Sequence, residues 1–209
     1  MKHHKWKYFP ENSLKEVRLI SRIDHISIAV KDYDNARHFF QNVLGAIPGA
    51  SDQDNDMRYA WQIFSFGDLS RLELIQPTEQ GGFLDNFLKK HKKGGLHHIS
   101  LQTPDIKKAK QILKKHNIAY FGYNEYGDIW KEIFIHPKDA FGVLIQIAEF
   151  HPDDWLDPSI VLPKGKKWEV KKEESGGTLS FTHPGGGKVR VELTTAEAKE
   201  LVNDLQQLR

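Results

Sequence analysis

The hydrophobic pattern after residue 21 changes from strand-like to helix-like and back. Residues 25–30, with Ile23 before them, are rich in β-branched side chains and predict a buried strand. A helix is predicted next, capped by Asp32 or Asp34 and ended by Gly45. Its apolar residues have helical spacing and are Ala36, Phe39, Phe40, Val43 and Leu44. Further strands are predicted at residues 59–64 and 71–75, with room for another near 46–50.

The same order of elements recurs later in the chain. Residues 98–103 predict a strand, Pro104 and Asp105 open a helix, and Asn117 closes it. Strands are then predicted at residues 130–135 and 143–147. The chain therefore contains two units of similar order, which predicts an α+β fold.

An internal repeat with an offset of 73 residues relates the two units. The sequence His25-Ile26-Ser27-Ile28 matches His98-Ile99-Ser100-Leu101, and Leu72-Glu73-Leu74-Ile75 falls on Ile145-Gln146-Ile147-Ala148 at the same offset. Each unit thus has a histidine in its first strand and a carboxylate or an amide in its last.

Composition limits the chemistry that these positions can supply. The 209 residues are 39% hydrophobic and 28% charged, which is enough for a buried core. There is no cysteine, which excludes disulfides, thiolate metal sites and cysteine nucleophiles, but there are 11 histidines. The net charge of +2 gives no reason to expect a nucleic-acid or membrane partner. Without a signal peptide or a membrane-length apolar run, a cytoplasmic location is expected.

Four polar residues occupy equivalent positions on predicted buried strands: His25, Glu73, His98 and Gln146. A buried polar side chain costs several kcal/mol unless it is paired, so the four are expected to satisfy one another around one centre. Two imidazoles, a carboxylate and an amide oxygen suit one divalent metal ion such as Co, Ni, Zn, Mn or Fe. The alternative for each histidine alone is a hydrogen-bonded core residue. His97 is expected to point to the opposite face of its strand.

These motifs resemble those of the vicinal oxygen chelate (glyoxalase/bleomycin resistance/dioxygenase) superfamily. The stretches that carry the resemblance are residues 22–26, 72–75, 82–84, 94–99, 136–139 and 142–144, and within the superfamily they are most similar to methylmalonyl-CoA epimerases. The resemblance covers residues 22–150. It implies two tandem βαβββ modules that form a curled mixed sheet around one divalent metal, with His25, Glu73, His98 and Gln146 as ligands.

The resemblance implies a metal-dependent enzyme that acts through a metal-stabilised enolate. It would be an isomerase, epimerase or lyase, either methylmalonyl-CoA epimerase-like or glyoxalase-like. The family generally has a glutamate where this chain has Gln146, and an amide cannot act as a base. Glu73 is therefore the candidate catalytic base. The alternatives are a non-haem iron ring-cleaving oxygenase and a non-catalytic small-molecule binding protein of the same fold.

The expected substrate is a small carbonyl compound or an acyl-CoA, and a homodimer is expected from the resemblance alone. Cations for CoA phosphates are available in a lysine run formed by Lys89, Lys90, Lys92 and Lys93. An epimerase usually needs a second acid–base group. The candidates are Asp52, Asp54 and Asp56, for which a solvated turn is the competing interpretation.

The predicted organisation has four parts. Residues 1–20 form an N-terminal extension, and residues 21–150 form the vicinal oxygen chelate domain, with modules at about 21–80 and 94–150. Residues 151–163 are a linker, and residues 164–209 are a small β-rich appendage ending in a helix. In the appendage, a hairpin-like group of short strands precedes a helix whose capping box is formed by Thr194 and Glu197.

Overall fold

The computed structural model describes residues 19–67, 69–183 and 186–208. Most of the predicted extension, residues 1–18, lies outside the described residues. Eleven strands are described: β1 (Arg22–Ala29), β2 (Ile47–Asp54), β3 (Tyr59–Ser65), β4 (Arg71–Pro77), β5 (Gly95–Gln102), β6 (Phe121–Tyr126), β7 (Trp130–Ile135), β8 (Leu144–Phe150), β9 (Trp168–Glu173), β10 (Gly176–Thr182) and β11 (Lys188–Thr194). The α-helices are α1 (Tyr33–Arg37), α2 (Leu84–Lys90), α3 (Ile106–Lys115) and α4 (Thr195–Gln206).

Strands β1 to β8 form one mixed sheet in the order β2-β3-β4-β1-β5-β8-β7-β6. Within each module the first strand pairs in parallel with the last, and the two first strands, β1 and β5, pair antiparallel at the centre. The predicted α+β fold with two βαβββ modules is therefore confirmed. A separate three-stranded sheet, in the order β11-β10-β9, and helix α4 form the C-terminal part, as predicted.

The helices and the site lie on opposite faces of the sheet because strand residues alternate in direction. In β4, Leu72 and Leu74 belong to the cluster that packs against α1, whereas Glu73 between them faces the other side. In β8, Ile147 packs against α3 in the same way, and Gln146 next to it faces away from that helix. The repeated alternation directs the polar side chain of each last strand to the same concave face.

Close packing of the chain before β5 fixes how the two central strands approach. Gly94 has a φ of +97°, and a Cβ atom there would lie 2.5 Å from the carbonyl oxygen of Ala29 in β1. Only glycine fits this backbone conformation and this contact. Gly94, directly before β5, therefore allows the first strand of the second module to lie against β1.

Four elements differ from the predictions. The first helix changes after Arg37 into a π-helical segment, His38–Val43. The strand expected near residues 46–50 extends to Asp54, which places Asp52 and Asp54 on β2 rather than in a turn. Strand β6 and helix α2 have no counterpart among the predicted elements. In the described part of the chain, no helix is long and apolar enough to cross a bilayer.

Candidate metal centre

Three buried side chains meet on the concave face at the boundary between the modules. His25 from β1, Glu73 from β4 and His98 from β5 each offer a ligand atom, and these atoms lie within 4.8 Å of one another. Glu73 Oε2 is 3.7 Å from His25 Nε2 and 3.6 Å from His98 Nε2. Metal–ligand bonds of about 2.0–2.2 Å place two ligands of one ion roughly 3–4 Å apart, so the spacing suits a divalent ion.

Four buried polar atoms of the site have no hydrogen-bond partner. They are His25 Nε2, Glu73 Oε2, His98 Nε2 and Gln146 Oε1. An unsatisfied buried polar atom costs about 1–3 kcal/mol, so four at one place are unfavourable unless something binds them. The four atoms belong to the four residues that the repeat relates. The donor set fits a divalent metal, and the buried triad His25, Glu73 and His98 is consistent with such a site.

The orientation of His25 is set by a buried ionic cluster. Its Nδ1 lies 2.7 Å from Asp24 Oδ2, which directs Nε2 towards Glu73. Asp24 is also paired with Arg22 and Arg71. A carboxylate behind a histidine fixes the ring and its tautomer, as is common behind metal ligands.

Burial keeps His98 in the form that can bind a metal. Desolvation, with smaller effects from His25 and His97, holds the pKa of His98 well below its usual range, so the imidazole is neutral. The neighbouring His97 has its pKa lowered to about 4 by burial. Its Nδ1 lies 3.0 Å from His98 Nδ1, and its ring packs against Phe83 and Phe87 rather than joining the triad.

The charge state of Glu73 depends on opposing effects. Burial raises the pKa of its carboxyl group above the usual value, and the charge of His25 opposes this. Its side chain keeps 12% exposure, which leaves the carboxylate accessible from the cavity above it.

The Asp24 cluster predicts a specific pH dependence of stability. Burial alone would raise the pKa of Asp24, but the hydrogen bond from His25 and the charges of Arg71 and Arg22 lower it to about 2. Because the folded-state pKa lies below the unfolded one, the stabilisation is present above about pH 4 and is lost as the pH falls towards 2. We expect about 2 kcal/mol to be lost between about pH 5 and pH 2.

Urea unfolding of the chelator-treated protein measures this loss. The control is Asp24→Asn, which keeps the shape of the side chain but cannot titrate. The difference in unfolding free energy between wild type and variant should shrink by about 2 kcal/mol over that range. A difference that does not change with pH would contradict the prediction.

A cavity of about 570 Å³ opens above the centre. Its walls include aromatic side chains from both modules, and Trp155 joins them: its ring centroid lies 5.6 Å from that of Trp61 in β3 and 5.2 Å from that of Trp130 in β7. Acidic residues of β2 and the following turn also line it, namely Asp52, Asp54 and Asp56. The cavity therefore has an aromatic wall and an acidic rim.

The segment predicted as a linker contributes to this wall. It contains two short 3₁₀ turns, Pro152–Trp155 and Pro158–Ile160, and buries Leu156 and Leu162. Asp153 also accepts a hydrogen bond from the backbone N–H of Gly187, 2.7 Å away. The segment thus contacts both the cavity and the C-terminal part of the chain.

The structure brings the four predicted site residues to one face, and it adds residues that the sequence did not single out. Asp24 orients His25, and Glu132 in β7 hydrogen-bonds the side-chain amide of Gln146. Glu132 lies two residues from both Trp130 and Phe134 in β7, so strand alternation places it on the same face as these two rings. This position was the signal in the sequence that could have found it. No sequence signal indicated that Trp155 reaches the cavity.

The fold and the site define the class of protein. A family model for the Glyoxalase/Bleomycin resistance protein/Dioxygenase superfamily matches residues 24–134, and the chain belongs to this superfamily. The resemblance seen in the sequence is therefore confirmed.

Within the superfamily the chain is similar to methylmalonyl-CoA epimerases. The ethylmalonyl-CoA/methylmalonyl-CoA epimerase of Cereibacter sphaeroides is 34% identical over 134 residues, which are 63% of this chain and 99% of that protein. The crystal structure of methylmalonyl-CoA epimerase from Mycobacterium tuberculosis aligns with a TM-score of 0.59 at 26% identity, covering 64% of this chain and 91% of that one. A variant of the Streptomyces coelicolor methylmalonyl-CoA epimerase, solved in complex with 2-nitronate-propionyl-CoA, aligns with a TM-score of 0.56 at 25% identity, covering 63% and 98%.

Proposed function

We propose that this protein is a metal-dependent isomerase or epimerase that moves a proton at a carbon atom next to a carbonyl group. The observation that carries the proposal is the Glu73 carboxylate, which lies between two buried imidazoles at the floor of a cavity. A carboxylate within reach of a substrate proton acts as a general base. The similarity to methylmalonyl-CoA epimerases supports the same chemistry.

Each residue of the centre has a distinct part in the proposal. A divalent ion would be held by His25, Glu73, His98 and Gln146. It would polarise a carbonyl group and stabilise negative charge on the carbonyl oxygen. Glu73 takes the proton from the adjacent carbon atom. In a glyoxalase-like shift it delivers that proton to the neighbouring carbon, whereas epimerisation needs a second acid–base group on the opposite face. Gln146 contributes only its amide oxygen, because an amide does not accept a proton at neutral pH.

Two substrate types fit the proposal. An acyl-CoA is supported by the relatives and by the exposed lysine run, but none of its four lysines lines the cavity. The acidic rim instead favours a small uncharged carbonyl compound, which would need only the single base of a glyoxalase-like proton shift.

Solvent exchange at the α-carbon tests the proposal and separates the two substrates. The metal-loaded protein is incubated in deuterated water with (2R)- and (2S)-methylmalonyl-CoA, or with the hemithioacetal of methylglyoxal and a small thiol. Deuterium incorporation, followed by mass spectrometry, is expected with one of them. Its absence from both, together with iron-dependent oxygen uptake on catechols, would favour the oxygenase. Absence of all three activities would favour a binding protein.

A further inference from the structure

Strand β7 carries a buried carboxylate beside the centre that the proposed reaction does not use. Glu132 is 9% exposed, lines the same cavity as Glu73, and lies one strand away from Gln146. The epimerases generally have a glutamate at the position of Gln146. In this chain the position holds an amide, and the Glu132 carboxylate lies next to it.

Three donors converge on Glu132. Its Oε2 accepts hydrogen bonds from Trp130 Nε1 at 2.8 Å and from Gln146 Nε2 at 2.7 Å. Its Oε1 accepts one from Asn124 Nδ2 at 2.9 Å. An indole N–H can only donate, so the oxygen that meets Trp130 is an acceptor.

This arrangement fixes which end of the Gln146 amide faces the centre. An amide presents either its oxygen or its nitrogen, and only the nitrogen can donate to an accepting carboxylate oxygen. With Nε2 held by Glu132, Oε1 points away from it, and Oε1 is the buried atom without a hydrogen-bond partner. The reverse orientation would place two acceptors in contact and turn an N–H group, which cannot bind a metal, towards the centre.

We propose that Glu132 is a positioning residue that selects the ligating orientation of Gln146, so that the pair Glu132 and Gln146 replaces a single glutamate ligand. The inference rests on the proposed metal centre but not on the reaction. A negative charge behind the amide also increases the electron density on Oε1 and strengthens it as a ligand.

Removing the accepting carboxylate in two backgrounds tests the proposal. Glu132→Met keeps the length of the side chain but offers Gln146 Nε2 no carboxylate oxygen, so one orientation of the amide is no longer selected and Co²⁺ affinity is expected to fall about 10-fold or more. In Gln146→Glu two carboxylates meet and repel each other. Adding Glu132→Met to that variant removes the facing carboxylate and the repulsion, so the same substitution is expected to raise Co²⁺ affinity about 10-fold there.

The sign reversal distinguishes positioning from a general structural role. The measurements are isothermal titration of the metal-free proteins with Co²⁺ and the visible absorption of bound Co²⁺, which reports the ligand set. The matched control is Glu125→Met on β6. It removes an exposed carboxylate that contacts Tyr123 and Lys131 and should leave both readouts unchanged.

The outcomes separate the two proposals. If wild type binds Co²⁺ but Glu132→Met changes affinity in the same direction in both backgrounds, or leaves the absorption spectrum unchanged, the positioning role is wrong and the metal centre stands. If wild type binds no Co²⁺, both are wrong. A reversal of sign with an altered spectrum in Glu132→Met supports the positioning role.

Discussion

Replacing His98 by alanine is expected to lower the affinity for Co²⁺ or Zn²⁺ by at least about 100-fold, because it removes one of the two imidazoles of the buried triad. The loss of the ring leaves Glu73 with a single imidazole, His25, at 3.7 Å. Isothermal titration of metal-free wild type and variant measures the change.

His116→Ala is the matched control, because this imidazole lies at the exposed end of α3, away from the site. Circular dichroism shows whether each variant is folded. An affinity of His98→Ala equal to that of wild type would mean that the buried triad binds no metal, and that its unpaired atoms are satisfied in another way.

The four ligand candidates could be predicted from the sequence because two local signals coincide at them. Strand periodicity assigns a face to each residue, and the 73-residue offset shows that the faces are equivalent in the two modules. His25, Glu73, His98 and Gln146 satisfy both conditions. Both signals can be read from the sequence alone, because neither depends on contacts between distant parts of the chain.

Asp24 could not be predicted because it breaks the alternation. Asp24 and His25 are adjacent in β1, yet both side chains are buried, with 3% and 2% exposure. The pairing of β1 with β5 shifts register between Ile23 and His25, which is the signature of a bulge. A bulge lets neighbouring side chains share a side of the sheet, and its position depends on the partner strand rather than on the local sequence.

Elements at the edges of the fold were less predictable for a related reason. Strand β6 is mostly exposed and has no apolar alternation, so its conformation follows from pairing with β7. Trp155 lies three residues after Pro152 in a segment typical of a connection, and its place in the cavity wall depends on the rings of Trp61 and Trp130. Such contacts between distant residues leave no periodic signal in the chain.

Replacing Glu73 by glutamine is expected to slow α-proton exchange by about 10²–10⁴-fold, the usual contribution of a general base. The amide keeps an oxygen in the position of Oε2, so it can still bind a metal, but it cannot accept the substrate proton. The variant therefore separates two roles that Glu73 would combine. Exchange is measured with metal at saturating concentration, so that weaker metal binding does not account for the loss.

Glu149→Gln provides the comparison, because this carboxylate lies on β8 but binds the backbone of α3 and Lys131 instead of the centre. The rate of α-proton exchange in Glu149→Gln should equal that of wild type. Glu132 also lines the cavity, and if Glu73→Gln exchanged as fast as wild type, the proton would have to be taken by another group. The assignment of Glu73 as the base would then be wrong even if the metal centre were correct, because ligation and proton transfer need different properties of the same carboxylate.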